Sequence, residues 1–306
     1  MLIAAVSAAA SAAPAPKAAA GVTRAPVIDV HLHAMPASFA EGVERFTAEN
    51  GQLLQLPVFD KVKAAKSDAE VLSGTIAAMK KYNVVRAVTS GPLLDQYVAA
   101  LPERIIPSMI TFSGKPSVEE LRRELGSGKF AVLGEVASQY RGLGPDDPAL
   151  DPYFAVAEEL NIPVGIHMGM GGPGTPSYRA KAGNPLLLEE VLARHPRLRI
   201  YVMHAGYPMI EEMIALMHTY PQVYVDIAEI DWIRPRASFD EHLRKLVDAG
   251  LSKRVMFGSD QMAWPDAIGV AIGAVETAAY LTREQRRDIL CNNAARFLKL
   301  DPALCR

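Results

Sequence analysis

Residues 22–306 are expected to form a single α/β domain, an eight-stranded parallel barrel of the (β/α)8 or TIM type with a loop insertion after its first strand. Three observations predict it. Eight short apolar runs alternate with helix-length segments, and continuous apolar strands belong to a parallel sheet covered on both faces. The first run ends in His31-Leu32-His33, where an open doubly wound sheet would carry a glycine-rich turn. Four histidines and two carboxylates stand where such runs end, and a closed parallel barrel brings all its strand ends to one face. The 306 residues suffice for one barrel, which takes roughly 250.

Val27–Val30 opens the series as a β-branched run, and 34–66 is a polar and aromatic insertion without a period. Asp68–Tyr82 reads as a helix with Ser67 as its N-cap, followed by a strand at Val84–Ser90. A strand at Ile105–Ile110 precedes a helix at Val118–Leu125, where Ser117 and Glu120 make a capping box. Phe130–Val136, Pro163–His167, Leu198–His204, Val223–Asp226 and Val255–Gly258 complete the strands. Their helices are Tyr153–Leu160, Leu186–Arg194, Met209–Thr219 and Phe239–Ala249. Asp266–Tyr280 and Arg283–Leu298 close the chain, and no repeat or linker divides the domain.

Residues 1–21 stand apart as an Ala/Pro-rich tail. Leu2–Ala13 resembles the apolar stretch of a secretory signal, although no Lys or Arg precedes Lys17. That favours an exported, periplasmic protein over a cytoplasmic one, a plain disordered tail being the alternative. The run is too short for a membrane span, which needs about 20 apolar residues. A net charge of −2 gives no sign of an electrostatic grip on nucleic acid or anionic lipid. Cys291 and Cys305 fit no zinc or redox spacing and read as free thiols, a disulfide being the alternative in an exported chain.

His31 and His33 lie two apart on a strand and therefore point the same way. Asp29 shares their face one step deeper and reads as a buried, hydrogen-bonded carboxylate, with a ligand-orienting role as the alternative. A lone His-x-His is a weak signal. His31, His33, Glu135, His167, His204 and Asp260 together are a strong one, because imidazoles and carboxylates converging on a barrel mouth hold a divalent metal. His195, His218 and His242 fall within or at the ends of helices and read as surface residues. An ion held by neutral imidazoles stays electrophilic and lowers the pKa of bound water from about 15.7 towards ~7. Asp260 is placed to take that water's proton and return it to the leaving group. The ion, or His204, polarises the scissile carbonyl. Zinc suits this donor set best, with manganese, iron and cobalt as alternatives.

The motifs as a set resemble the amidohydrolase superfamily, and more narrowly its amidohydrolase-related, metal-dependent TIM-barrel hydrolases. Gly-Glu-Val at Glu135, Ile-His-Met-Gly at His167, Met-His-Ala-Gly at His204 and Phe-Gly-Ser-Asp at Asp260 carry the likeness. Asn-Asn-Ala-Ala-Arg-Phe-Leu at 292–298 completes it, and it spans about residues 26–300. The resemblance implies that His31, His33, His167 and Asp260 hold one ion. It makes His204 the ligand of a second ion or a partner of the substrate. Many members carry a carboxylated lysine on the fourth strand, where this chain has Glu135. A glutamate there can bridge two ions, as in the TatD-like nucleases, so one ion or two is left open. Lys129 stands at the far end of that strand and cannot substitute.

The expected activity is metal-dependent hydrolysis of an ester, lactone or amide in a small molecule. The alternative is non-oxidative decarboxylation of an aromatic carboxylic acid, and a TatD-like nuclease ranks below both because basic stripes are absent. A homodimer is consistent with the family. The glycine-rich segment 168–179 after His167 reads as a pocket loop, with Tyr178 a candidate for an anionic group and Arg179 a solvated residue. Asp226, Glu229, Asp231, Trp232 and Arg234 form a polar-aromatic cluster after the seventh strand, and Trp264 is a candidate pocket wall. The insertion 34–66 is a candidate lid.

Overall fold

The computed structural model describes residues 24–43, 57–111, 116–171, 175 and 177–306; the Ala/Pro-rich run and part of the insertion lie outside them. Eight strands pair in chain order in one sheet, and every ladder is parallel. They are β1 (Val27–His33), β2 (Val84–Ser90), β3 (Ile105–Thr111), β4 (Val132–Val136), β5 (Val164–His167), β6 (Ile200–Met203), β7 (Val223–Asp226) and β8 (Val255–Met256). The chain after β8 closes the ring on β1. Val30 N–H donates to Phe257 O at 3.0 Å, Asp260 N–H to His31 O at 2.7 Å and His33 N–H to Gln261 O at 2.9 Å. The predicted (β/α)8 barrel is therefore the observed one.

Between the strands lie α1 (Asp68–Lys81), α2 (Leu94–Ala100), α3 (Val118–Gly126), α4 (Asp151–Glu159), α5 (Leu188–Arg194) and α6 (Ile210–Thr219). After β7 come α7 (Ile230–Ile233) and α8 (Arg236–Asp248); after β8 come α9 (Ala267–Glu276), α10 (Arg283–Arg287) and α11 (Asn293–Leu298). Ser67 caps α1, and Ser117 with Glu120 forms the full capping box of α3. Every residue of β1 is buried, as a strand with helices on one face and the barrel interior on the other must be. Tyr201 on β6 is fully buried and sends its hydroxyl across the barrel to Val30 O on β1 at 3.1 Å, plugging the interior.

The sequence pattern misses α2 and α7, which at seven and four residues are too short to display an amphipathic period. The closing helix is interrupted by a π-helical turn at Asp288–Asn292. Cys291 in that turn is disulfide-bonded to Cys305, with Cα atoms 5.8 Å apart, which corrects the expectation of free thiols. The C-terminal turn Pro302–Cys305 folds back on this helix, a contact that chain spacing does not reveal. His195 and His242 are also not surface residues, at 7% and 4% exposure. His242 belongs to the buried stripe of α8 with Phe239, Leu243 and Leu246; His218 alone of the three is exposed.

Candidate metal centre

The strand ends assemble the site. His31 and His33 finish β1, Glu135 stands in the last turn of β4's pleat and His167 ends β5. His204 follows β6 directly, in a left-handed conformation (φ 58°), and Asp260 lies beyond β8 with φ 47°. All six residues singled out in the sequence meet around one space. His31 Nε2 is 3.1 Å from His33 Nε2, and Asp260 Oδ1 is 3.5 and 3.2 Å from the two. On the other side His167 Nδ1 is 3.1 Å from His204 Nε2. Glu135 stands between the pairs. Its Oε1 is 2.7 Å from His167 and 3.9 Å from His204, while its Oε2 is 3.8 Å from His31 and 3.4 Å from His33. His167 thus lies with Glu135 and His204, not in the His31–His33–Asp260 group.

The outward nitrogens decide what the inward ones offer. His31 Nδ1 faces Asp226 Oδ2 at 3.2 Å, His204 Nδ1 faces the Ala228 carbonyl at 3.0 Å and His167 Nε2 faces the Met170 carbonyl at 3.3 Å. Carboxylate and carbonyl oxygens only accept, so each of these nitrogens carries the proton and each inward nitrogen presents a lone pair. His33 Nδ1 meets Ser90 Oγ at 3.1 Å. Lone pairs facing one another at 3.1 Å repel unless a cation or a proton lies between them. Four converging imidazole nitrogens with two carboxylates therefore fit a divalent cation, and His31–His33–Asp260 and His31–Glu135–His204 each come close enough together to ligate one.

The electrostatics agree. Burial alone would raise the Glu135 carboxyl, yet the His167, His204, His31 and His33 rings hold it well below the usual range. Asp260 is likewise lowered against burial by His31, His33 and His204. Burial opposes charge on the imidazoles, but Glu135, Asp260 and Glu229 carry His204 up to about 9, and Asp260 and Asp226 raise His31 strongly.

Asp29 is the hydrogen-bonded carboxylate expected. It accepts from His31 N–H at 3.0 Å and from the Ser259 N–H and hydroxyl at 3.0 and 2.6 Å, tying β1 to the segment that carries Asp260. Gly258 is needed beside it, because a Cβ there would come within 2.8 Å of the His31 Cβ. Sequence reasoning gave no role to Asp226, whose Oδ1 accepts from His204 N–H at 2.9 Å and Ala228 N–H at 3.0 Å while Oδ2 holds His31. Its place at the end of β7 was the available signal. Asp231 of the same cluster is buried with no hydrogen-bond partner for its carboxyl among the described residues, and burial, with the nearby Asp29 and Asp226 carboxylates, raises it well above the normal range.

A cavity of about 670 Å³ opens over these residues. Phe39, Phe59, Trp232 and Trp264 wall one side, so Trp264 does line the pocket. Glu229 and Arg234 lie in the wall beside His204. Met170 and Thr175 of the glycine-rich loop reach it, and the Tyr178 hydroxyl donates to Gly169 O at 2.6 Å. Arg179 is exposed, and Lys129 is exposed beside Asp95, away from the site. The expected lid at 34–66 contributes Met35, Ser38 and Phe39, while its segment 44–56 lies outside the described residues.

Residues 28–300 match the amidohydrolase family, and the chain belongs to it. The protein is an enzyme of the amidohydrolase type, and a divalent metal is its cofactor class. Protein fluG of Emericella nidulans is 24% identical over 162 residues, covering 48% of this chain and only 18% of that protein. An uncharacterized TIM-barrel protein from Bordetella bronchiseptica superposes with a TM-score of 0.67 at 20% identity, over 90% of this chain and 98% of that one. A probable 2-pyrone-4,6-dicarboxylic acid hydrolase from Acinetobacter baumannii gives 0.62 at 14%, over 90% and 99%. A 5-carboxyvanillate decarboxylase from Novosphingobium aromaticivorans, complexed with manganese, gives 0.60 at 16%, over 93% and 98%. At these identities the structural likenesses speak for the fold. No helix among the described residues is long and apolar enough to cross a membrane.

Proposed function

We propose that this enzyme hydrolyses an ester, lactone or amide bond of a small molecule, with two divalent ions, zinc by preference, in the His/carboxylate cluster. One observation carries the reading: the two oxygens of Glu135 each face a separate pair of imidazole lone pairs. His31, His33 and Asp260 would hold one ion, His167 and His204 the other, with Glu135 between them. Bound there, the ions supply Lewis acidity and a water of lowered pKa. The chain's own residues supply the rest. Asp260 borders the cavity, kept ionised by His31 and His33, and takes the proton of the attacking water before delivering it to the leaving group. Asp226 and the Ala228 carbonyl fix the orientation of His31 and His204, and the aromatic wall offers an apolar face to the substrate.

Elemental analysis of metal-replete protein tests the ion count, with a panel of lactones, esters and amides for the reaction. Two ions per chain are expected, and one in each variant: Glu135→Gln should keep the ion of His31, His33 and Asp260, and His31→Asn that of His167, His204 and Glu135. A single ion that Glu135→Gln leaves in place contradicts the bridging role. The aromatic wall of Phe59, Trp232 and Trp264 favours a second reading, decarboxylation of an aromatic carboxylic acid, which carbon dioxide release from a phenolic acid panel would reveal. The Cys291–Cys305 disulfide supports export, since disulfides persist in oxidising compartments.

A further inference from the structure

Arg234 is a cation in the cavity wall with most of its donors unused. Its side chain is 17% exposed. Nη2 donates to Glu229 Oε1 at 3.1 Å, and the guanidinium lies 5.6 Å from the centre of the Tyr207 ring. Nε is enclosed without any acceptor. Nη1 likewise has no acceptor among the described residues, but it is not enclosed. A guanidinium stays charged and offers five N–H donors in a planar fork, of which Glu229 engages one. Such a group, largely withdrawn from water and paired through one of its five donors, keeps the capacity to receive an anion.

The surroundings say what kind of anion. Arg234 is the only Arg or Lys among the described residues lining the cavity. Glu229 holds it from the centre of a tight γ-turn (φ 65°, ψ −52°) closed by Ile230 N–H donating to Ala228 O at 2.7 Å, a conformation rare for any side chain, and its other oxygen lies 3.9 Å from His204 Nδ1. The guanidinium is thus one carboxylate away from the reacting centre. Trp232 neighbours it in the chain and meets Trp264 and Phe59 with ring centres 6.4 and 6.0 Å apart, a continuous aromatic face.

We infer that the substrate carries, apart from the bond that reacts, a carboxylate that docks on Arg234 while its planar body lies against Trp232 and Trp264. This rests on the hydrolase reading only for where the reacting bond sits. The test compares 3-carbamoylbenzoate with benzamide, which has the amide but lacks the docking carboxylate, by calorimetric binding to the metal-loaded enzyme. Wild type should bind 3-carbamoylbenzoate about tenfold more tightly, the worth of one charge-assisted bond. Arg234→Gln should bring that ratio to one. Glu229→Gln, which frees the fork of its competitor, should widen it, and provides the test if Arg234→Gln does not fold. A ratio unchanged in either variant, or no preference in wild type, overturns the inference. Loss of activity across the hydrolysis panel with the ratio intact would reject the reaction and leave the receptor standing.

Discussion

His242 gives a quantitative handle on the turn that delivers His204. It is buried in α8, and its Nε2–H donates to the Ala205 carbonyl at 3.1 Å. That carbonyl belongs to His204-Ala205-Gly206, three consecutive residues with φ of 58°, 47° and 62°. Burial, helped by Lys245 and opposed by the bond to Ala205, lowers the imidazole from its ordinary 6.5 to about 4. In the unfolded chain it takes up a proton near 6.5, so falling pH favours unfolding until the folded ring also titrates. The stabilisation is complete above about pH 7 and is lost between 6.5 and 4. At about 1.4 kcal/mol per pH unit the loss reaches roughly 3 kcal/mol, of which about 2 has gone by pH 5. His242→Gln keeps an N–H donor and removes the titration. Urea unfolding of metal-free wild type and variant at pH 7 and pH 5 should show the variant gaining about 2 kcal/mol on wild type at the lower pH. Parallel losses within about 0.5 kcal/mol would mean that His242 is not held neutral, and the argument fails. His242→Leu leaves the Ala205 carbonyl unpaired and should cost about 1–3 kcal/mol at pH 7, and about 2 kcal/mol less than that at pH 5, because it too removes the titration.

Three further outcomes follow from the site. In ion-free protein His204 is raised to about 9, so zinc binding at pH 7 must displace at least one proton. Calorimetry in buffers of different ionisation enthalpy should register that release, with affinity climbing about tenfold per pH unit below 9; buffer-independent heats would contradict it. The same shift means that ion-free protein loses this group's stabilisation as pH rises from 6.5 through 9. Asp226→Asn weakens the acceptor that orients His31 and should reduce zinc affinity about 10–100-fold with the circular dichroism spectrum unchanged, whereas full affinity would show that Asp226 does not set the ring's tautomer.

The barrel was legible because its strands announce themselves as apolar runs, and because six ligand-type residues at their ends share one face only in a closed sheet. Capping at Ser67 and Ser117 was equally plain, since the bond each makes spans three residues of sequence. What escaped depends on packing between distant segments. Asp226 reads as one more acid until His31 is seen 3.2 Å away, and Cys305 reads as a free thiol until the C-terminal turn meets Cys291. His242 could have been placed by its spacing, because Phe239, Leu243 and Leu246 mark the buried stripe on which it lies.

His204, Glu229 and Asp260 share a device that the sequence conceals. Each follows one of the last three strands and each has positive φ, at 58°, 65° and 47°. For side chains other than glycine this conformation costs of order 1–3 kcal/mol per residue, and it persists only where neighbours over-determine it. The neighbours are identifiable: Asp226 accepts from the His204 N–H at 2.9 Å, and the His31 carbonyl accepts from the Asp260 N–H at 2.7 Å. Glu229 accepts into its own carbonyl the amide hydrogens of Trp232 and Ile233 at 3.2 and 2.8 Å, where α7 begins. Residues of positive φ after three adjacent strands thus accompany the placing of His204, Asp260 and the Glu229–Arg234 pair around the same cavity. Replacing any of the three by a residue that relaxes the backbone would therefore stabilise the fold locally while dispersing the site, which is the opposite of what a purely structural histidine or carboxylate would do.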